Sequence, residues 1–331
     1  MRIFVLLCLV PAALQAQLVT ATLSGYVRDA SHAFIPGAAV TATASSAGLT
    51  VEARANAAGY YRLPALAPGR YTVTATHEGF APLREEVTLT LDARLRLDFT
   101  LAPEAGATSI TVAELVSESL STGLTLDRAR LAGLPLNRRD FLQLSLLAPG
   151  VVPPVPGSEL STDGSFAMHA SGAREEFNNF TIDGADNNDG YTNRYVLQPP
   201  VESIAEFRVL TGSYTAEYGR NAGAQVNVLT RSGTNAFHGA EYEYLRNRRL
   251  DARNFFDAAA NPKYARNQAG ASLGGPIRKD RAFFFANYEG LRERQGITRL
   301  ATVPTAAQRA GDLSADGAPV IDPFTQQPFP N

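Results

Sequence analysis

The side chains able to act in catalysis or metal binding are few and poorly grouped. The four histidines, His32, His77, His169 and His238, are scattered along the chain. None stands in the HExxH or similar spacing that sets two ligands on one face of a helix. His77-Glu78 is a coincidental adjacency. Asp183, Asp186 and Asp189 recur at threefold spacing with Gly184 and Gly190 beside them. A calcium loop, however, takes its oxygens from alternate positions and closes on a distal Glu, so this stretch reads as a solvated loop. No nucleophile elbow at a strand-to-helix turn is read, nor a glycine loop shaped for phosphate. The single cysteine, Cys8, lies inside the first apolar run. We therefore assign no catalytic residues, no metal site and no cofactor, and read the chain as a non-enzyme.

The elements around these residues point elsewhere. At roughly 150 residues per domain, 331 residues predict two or three domains. Hydrophobic residues at 45% and charged residues at 19% give an ordered protein. With 30 basic against 32 acidic residues and no basic arm, a nucleic-acid partner is excluded. Only Lys263 and Lys279 are lysines, a bias that fits a GC-rich genome better than recognition. Met1-Arg2, the apolar run Ile3 to Leu14 and the small Ala16 predict a secretory signal peptide over residues 1–16, too short to span a membrane. Cleavage there starts the mature chain at Gln17 and leaves it without a thiol, so it crosses an oxidising compartment without forming disulfides.

From Leu18 to Leu101, seven short β-prone runs are separated by turn signals such as Asn56-Ala57-Ala58-Gly59 and Pro68-Gly69. Tyr71, Val73 and Ala75 share one face of a strand. This predicts a small antiparallel β-sandwich over residues 17–102. Its Gly25-x-Val27-x-Asp29, Pro36-Gly37-Ala38-x-Val40, Asn56-x-x-Gly59-Tyr60-Tyr61 and Pro68-Gly69-x-Tyr71 resemble the carboxypeptidase-regulatory-like domain. That resemblance implies a non-catalytic accessory module. A linker over 103–123 follows, within which Ser109, Ile110, Thr111, Val112 and Ala113 form a β-prone run with no adjacent partner. Such a run either adds itself to the open sheet edge of another protein or begins the next domain. Leu131, Leu134, Leu142, Leu146 and Leu147 have helical spacing, giving two short helices between Leu124 and Leu147, broken at Pro135. Two alternating strands, Ile204 to Leu210 and Ala224 to Thr230, complete a mixed α+β domain over 124–231.

Six motifs in this region occur in order: Leu134-Pro135-Leu136-Asn137-Arg138-Arg139-Asp140-Phe141, Thr181-Ile182-Asp183-Gly184-Ala185-Asp186, Pro200-Val201-Glu202-Ser203-Ile204-x-Glu206-Phe207, Tyr214-Thr215-Ala216-Glu217-Tyr218-Gly219-Arg220, Val228-Leu229-Thr230-Arg231-Ser232-Gly233 and Phe237-His238-Gly239. Together they resemble the plug domain and first barrel strand of Oar-like TonB-dependent outer-membrane receptors. The one departure is Arg138, where that family usually has Gly, which puts the local turn geometry in question. The resemblance implies a signal peptide, a periplasmic sandwich, a TonB-contacting segment, a plug and a large β-barrel in this order. It makes Ser109 to Ala113 the candidate TonB box. Leu134, Pro135, Asn137, Asp183, Gly184, Ser203, Ile204, Phe207, Tyr218 and Gly219 are carried over as plug-motif residues. The implied partners are TonB, outer-membrane lipid and an extracellular substrate. Siderophore, oligosaccharide, peptide and protein export all stay open.

Residues 232–331 predict the first strands of a transmembrane barrel. Ala240, Tyr242 and Tyr244 share one face, read as the lipid side, and Glu241 and Glu243 share the other. Asn267 to Leu273 and Ala282 to Glu289 read as two further strands, joined by a turn at Pro276 to Asp280, with phenylalanines and Tyr288 suited to an aromatic girdle. Three or four strands in the 95 residues from Phe237 to Asn331 cannot close a barrel, for which about eight are needed. We therefore expect transport from a longer receptor and none from this chain alone. The competing expectation is a surface or periplasmic carbohydrate-binding, adhesin-like β-sandwich protein.

Overall fold

The computed structural model describes residues 20–104, 113–155, 157–158, 166–252, 263–296, 302–312 and 321–328. Residues 1–16, expected as a signal peptide, and Ser109, Ile110, Thr111 and Val112 of the candidate TonB box, lie outside the described residues. The chain divides into two compact units, residues 1–242 with 270–289, and residues 243–269 with 290–331. The fold is mainly β.

The sandwich is built from β1 (Ala21–Asp29), β2 (Ala39–Ala44), β3 (Thr50–Arg54), β4 (Tyr60–Leu66), β5 (Gly69–Thr76), β6 (Leu83–Leu89) and β7 (Arg94–Leu101). One sheet runs β3-β2-β5-β6. The other runs β4-β1-β7 and gains a fourth strand, β8 (Ala113–Ser117). Every second residue points into the space between them: Tyr71, Val73 and Ala75 are buried with Leu23, Val27, Val40, Leu97 and Phe99. Burial of each larger side chain contributes about 1.5–3 kcal/mol relative to exposure. Tyr61 is buried among them and satisfies its hydroxyl by donating to the Leu97 carbonyl at 2.7 Å. The sandwich departs from a purely antiparallel arrangement at one ladder, β1 against β7, which is parallel from Thr22↔Arg94 to Asp29↔Leu101.

The second domain packs a five-stranded mixed sheet, in the order β13-β12-β15-β14-β9, on short helical segments. Its strands are β9 (Thr122–Asp127), β12 (Asn179–Ile182), β13 (Ala185–Asp186), β14 (Ile204–Gly212) and β15 (Gln225–Thr230); β10 (Val151–Val152) and β11 (His169–Ala170) form a separate two-stranded pair. Residues 122–127, expected as linker and helix, are instead an edge strand, because Leu124, Leu126 and their neighbours alternate with period two and pair with β14. Helix α1 (Arg128–Gly133) starts where the Asp127 carboxylate accepts from the Arg130 backbone N–H at 2.9 Å. The expected second helix is a pair of 3₁₀ segments, Asn137–Arg139 and Phe141–Leu147, which bury Phe141, Leu142 and Leu144. Phe207 of β14 is fully buried and meets Phe141 edge to face at 5.5 Å.

Three long strands follow, β16 (His238–Asn247), β17 (Tyr264–Arg278) and β18 (Ala282–Gln295), paired in that order. All three meet or exceed the nine to eleven residues that cross a bilayer at a tilt. Pro276 belongs to β17, and the turn is Lys279–Arg281, with Asp280 at φ 60°. Tyr242 corrects the face assignment. Its hydroxyl donates to Glu289 at 3.0 Å, passing over Gly270, where a side chain would collide with the phenol ring. Its ring lies 6.0 Å from the Arg139 guanidinium of the preceding domain, so the Tyr242 side chain is turned toward that domain. Alternation shows that two faces differ, but it does not show which one is covered. Tyr288 is 76% exposed. In the second unit, Arg266 pairs with Glu293 at 2.8 Å, and Arg246 pairs with Asp251 and lies over the Tyr264 ring.

Candidate coupling and gating site

The first domain and the second meet at β14. Phe207 and Val209 of that strand face their own core, while Glu206 and Arg208 share the opposite face and are also buried. The sandwich turn between β6 and β7 covers this charged face. Leu91 is fully buried, its N–H donates to Glu206 Oε1 at 2.8 Å, and its carbonyl accepts from Arg208 Nη1. Asp92 lies 3.7 Å from Arg208 and accepts the Tyr218 hydroxyl at 3.2 Å. At the rim, Arg94 pairs with Glu217 at 2.6 Å.

Electrostatics at this contact are set mainly by burial, which disfavours charge. Burial pushes Glu206 up to about 7, against the Leu91 N–H and Arg208, which pull it down. Asp92 is raised by burial too, opposed by Arg208 and the Tyr218 hydroxyl. Arg208 is the node of the contact, because its Nη2 also donates to Ser121 Oγ at 3.2 Å. Ser121 lies in the four-residue link between β8, in the sandwich sheet, and β9, at the edge of the second domain's sheet. Sequence reasoning missed Leu91, Asp92 and Arg208. The available signal was Glu206 and Arg208 on one face of an otherwise apolar strand, which implies a polar partner covering that face.

The motif residues occupy structural positions around this contact. Asp183 and Gly184, at φ 50° and 79°, form the two-residue turn between β12 and β13; Asp-Gly suits the left-handed backbone that such a hairpin needs. The Asp183 carboxylate accepts from both the N–H and the hydroxyl of Thr230, tying the turn to β15. Ser203 donates to Pro200 O at 2.6 Å and accepts the Arg231 N–H on its carbonyl. Ile204 and Phe207 are core. Leu134 packs on that core, and Asn137 opens the first 3₁₀ segment. Arg138, at φ 58°, sits in the left-handed region, which accounts for a glycine preference at this position. Arg139, also at φ 58°, pairs with Glu202. Tyr218 touches Asp92, and a side chain at Gly219 would meet only the Ala216 carbonyl, at 3.9 Å. Pro135 follows α1.

The acidic triplet does not converge. Asp183 is held by Thr230, Asp186 pairs with Arg220, and Asp189 accepts from the backbone of Tyr191, Thr192 and Arg194. Hydrogen bonds from Thr192 hold the Asp189 carboxyl well below the usual range. Among the described residues no group of His, Cys, Asp and Glu is placed to hold a metal ion. The letters of a nucleophile elbow do occur, at Gly270-Ala271-Ser272-Leu273-Gly274. They lie mid-strand in β17, with Ser272 buried, and not on the strained strand-to-helix turn that exposes a nucleophile. An open cleft of about 840 Å³ separates Ser24, Tyr60 and Arg62 of the sandwich from Asn179, Thr181 and Asn227 of the second domain.

Among solved structures, the siderophore receptor PirA from Acinetobacter baumannii aligns over 54% of this chain and 25% of its own, at 24% identity and a TM-score of 0.41. A chlorocatechol 1,2-dioxygenase from Pseudomonas putida aligns over 25% of this chain and 59% of its own, at 14% identity and a TM-score of 0.21. Three family models match the sequence. Residues 22–102 match the carboxypeptidase regulatory-like domain, 134–226 the TonB-dependent receptor plug domain, and 229–331 an outer membrane beta barrel domain. The TonB-dependent transporter Oar of Myxococcus xanthus is 30% identical over 305 residues, 85% of this chain. The chain spans about a quarter, 27%, of that relative's length. The chain thus carries, in order, residues that match a carboxypeptidase regulatory-like domain, a TonB-dependent receptor plug domain and an outer membrane beta barrel domain, and it is similar to the transporter Oar along about a quarter of that relative.

Proposed function

We propose that this chain supplies the energy-coupled gate of an outer-membrane transporter. The plug occludes a barrel lumen until substrate binds outside, and a periplasmic pull by TonB on the segment beginning at Ser109 then rearranges it. The sandwich stands in the periplasm, and the β16–β18 sheet meets lipid. The observation that carries this reading is the continuity of residues 113–127: β8 ends at Ser117, four residues follow, and β9 begins as the edge strand of the plug sheet. A load applied upstream of β8 therefore reaches the plug through an edge strand of its sheet.

The test pairs two assays on the receptor that carries this chain: crosslinking to TonB in cells, and the melting temperature of the purified protein. Proline at Thr111 or Val112 removes a backbone donor. Lost crosslinking at unchanged melting temperature is the expected result. Unchanged crosslinking with a lowered melting temperature refutes the assignment of a TonB box to Ser109–Ala113.

A further inference from the structure

Two turns of the sandwich project from the same end, residues 45–49 between β2 and β3 and residues 90–93 between β6 and β7. Strand β5 sets them side by side, pairing Tyr71 with Ala44 on one flank and Gly69 with Leu89 on the other. The second turn is the one seated on β14 through Leu91. The first has a seat of its own, away from the plug sheet.

That seat is built on Asn235, in the seven-residue link between β15, in the plug sheet, and β16, the first of the long strands. Asn235 uses both ends of its amide to cap the turn between β17 and β18. Its Oδ1 accepts from the Asp280 N–H at 2.9 Å, and its Nδ2 donates to Asp280 Oδ1 at 2.7 Å. Its own backbone N–H is left to serve elsewhere, and donates to the Ser46 carbonyl at 3.1 Å. Beside it, Gly48 approaches so closely that a Cβ there would run into the Asp280 carboxylate. The link itself is held down, since Arg231 lies 4.9 Å from the Phe285 ring and a Cβ at Gly233 would collide with the carbonyls of Gly275 and Phe284. A single residue thus joins the sandwich, the link that leaves the plug and a turn of the long strands.

One end of the sandwich therefore bridges the seam between plug and barrel strands, on two unequal seats. On the plug, Leu91, Glu206 and Arg208 are buried, and the guanidinium donors of Arg208 strengthen the contact. On the barrel side, Ser46, Gly48 and Asp280 are exposed, and the bond to Ser46 is a neutral one for which water competes. Resting on the TonB reading above, we infer that the sandwich is a strap that holds the plug against the barrel from the periplasmic side. Under load the Ser46 seat releases first, and the sandwich travels with the plug.

The test uses the receptor that carries this chain, in its own cells, with two thiol pairs introduced separately. Ser46→Cys with Asn235→Cys spans the barrel seat, where the bond between the two residues is backbone to backbone and survives the change. Arg94→Cys with Glu217→Cys spans the rim of the plug seat. Each is treated with a short bismaleimide, and the linked peptides are measured by mass spectrometry in energised cells, in cells given a protonophore and in cells lacking TonB. Without the pull, both pairs should link. In energised cells the Ser46–Asn235 link should fall about threefold or more while the Arg94–Glu217 link holds. A photo-crosslinking residue at Ser46, which leaves Asn235 and its cap of Asp280 intact, should show the same fall in capture of the peptide carrying Asn235. Absence of both Ser46 links in every condition overturns the barrel seat. Equal yields in all conditions overturn the release, and a fall at Arg94–Glu217 with Ser46–Asn235 intact overturns its order. A fall at Ser46 that persists without TonB leaves the strap standing and refutes TonB as the source of the pull.

Discussion

Glu206 provides the sharpest quantitative test of the contact between sandwich and plug. In the folded chain it keeps its proton up to about pH 7, while an unfolded Glu releases it near its ordinary value of 4.5. A raised folded value stabilises fully below the unfolded one and is lost as pH rises through the folded one. The difference of roughly 2.5 units at about 1.4 kcal/mol each makes the fold weaker by up to about 3–4 kcal/mol above pH 7 than below pH 4.5 on account of this group. Three neighbours act on it: the Leu91 N–H and Arg208 favour the charge, Asp127 opposes it, and burial outweighs them all. Glu206→Gln keeps the shape and an acceptor for Leu91 but cannot ionise. In urea denaturation of the fragment 17–231, the variant should match the parent at pH 4.5. At pH 8 it should exceed the parent by about 1–3 kcal/mol. Taking the difference between the two proteins cancels the other titrating groups, including Asp92, raised like Glu206, and Asp189, shifted the opposite way. Parallel pH profiles for the two proteins would refute the burial argument, and with it the docking of Leu91 on β14.

Other substitutions test other parts of the fold. Arg138→Gly should stabilise the plug by about 0.5–1 kcal/mol in urea denaturation, because the left-handed backbone at Arg138 costs a side-chain-bearing residue that glycine avoids. Destabilisation would show that the Arg138 side chain contributes more than the strain. Phe207→Ala should cost about 3–5 kcal/mol by leaving a cavity against Phe141, and a loss under about 1 kcal/mol would mean this core is not packed as described. A fragment ending at Glu118 should melt higher than one ending at Leu101, since only the longer one carries β8 on the sandwich sheet; equal melting temperatures would detach β8 from β7.

What could be read from the sequence divides along physical lines. Period-two alternation found the sandwich strands because one face of each is buried, as at Tyr71, Val73 and Ala75. It could not reveal the parallel β1–β7 ladder, since alternation carries no strand direction. The spaced leucines suggested helix as far back as Leu124, yet Leu124 and Leu126 are two apart and lie on a strand that ends at the Asp127 cap. Residues two apart share one face of a strand but lie on opposite sides of a helix, and the cap itself was a further signal. At Tyr242, alternation separates two faces without saying which is covered, and the side chain faces the plug because its hydroxyl finds the Glu289 carboxylate. The Leu91–Glu206 contact joins residues 115 positions apart. No local pattern encodes such a pairing, although the motif that carries Glu206 did mark the strand on which it sits.

The shortness of the link between β8 and β9 sets a mechanical limit. Four residues, Glu118 to Ser121, separate the two strands, and five Cα–Cα steps drawn taut reach at most roughly 17 Å. Within that travel both ladders survive, and the link can straighten once Ser121 lets go of Arg208. Beyond it, one ladder has to open: five paired positions hold β8 to the sandwich and six hold β9 to the plug. The chain is therefore geared so that a long stroke cannot be absorbed as slack. It must either strip the edge of the plug or uncouple the strand from the sandwich, and the weaker ladder decides which of the two yields.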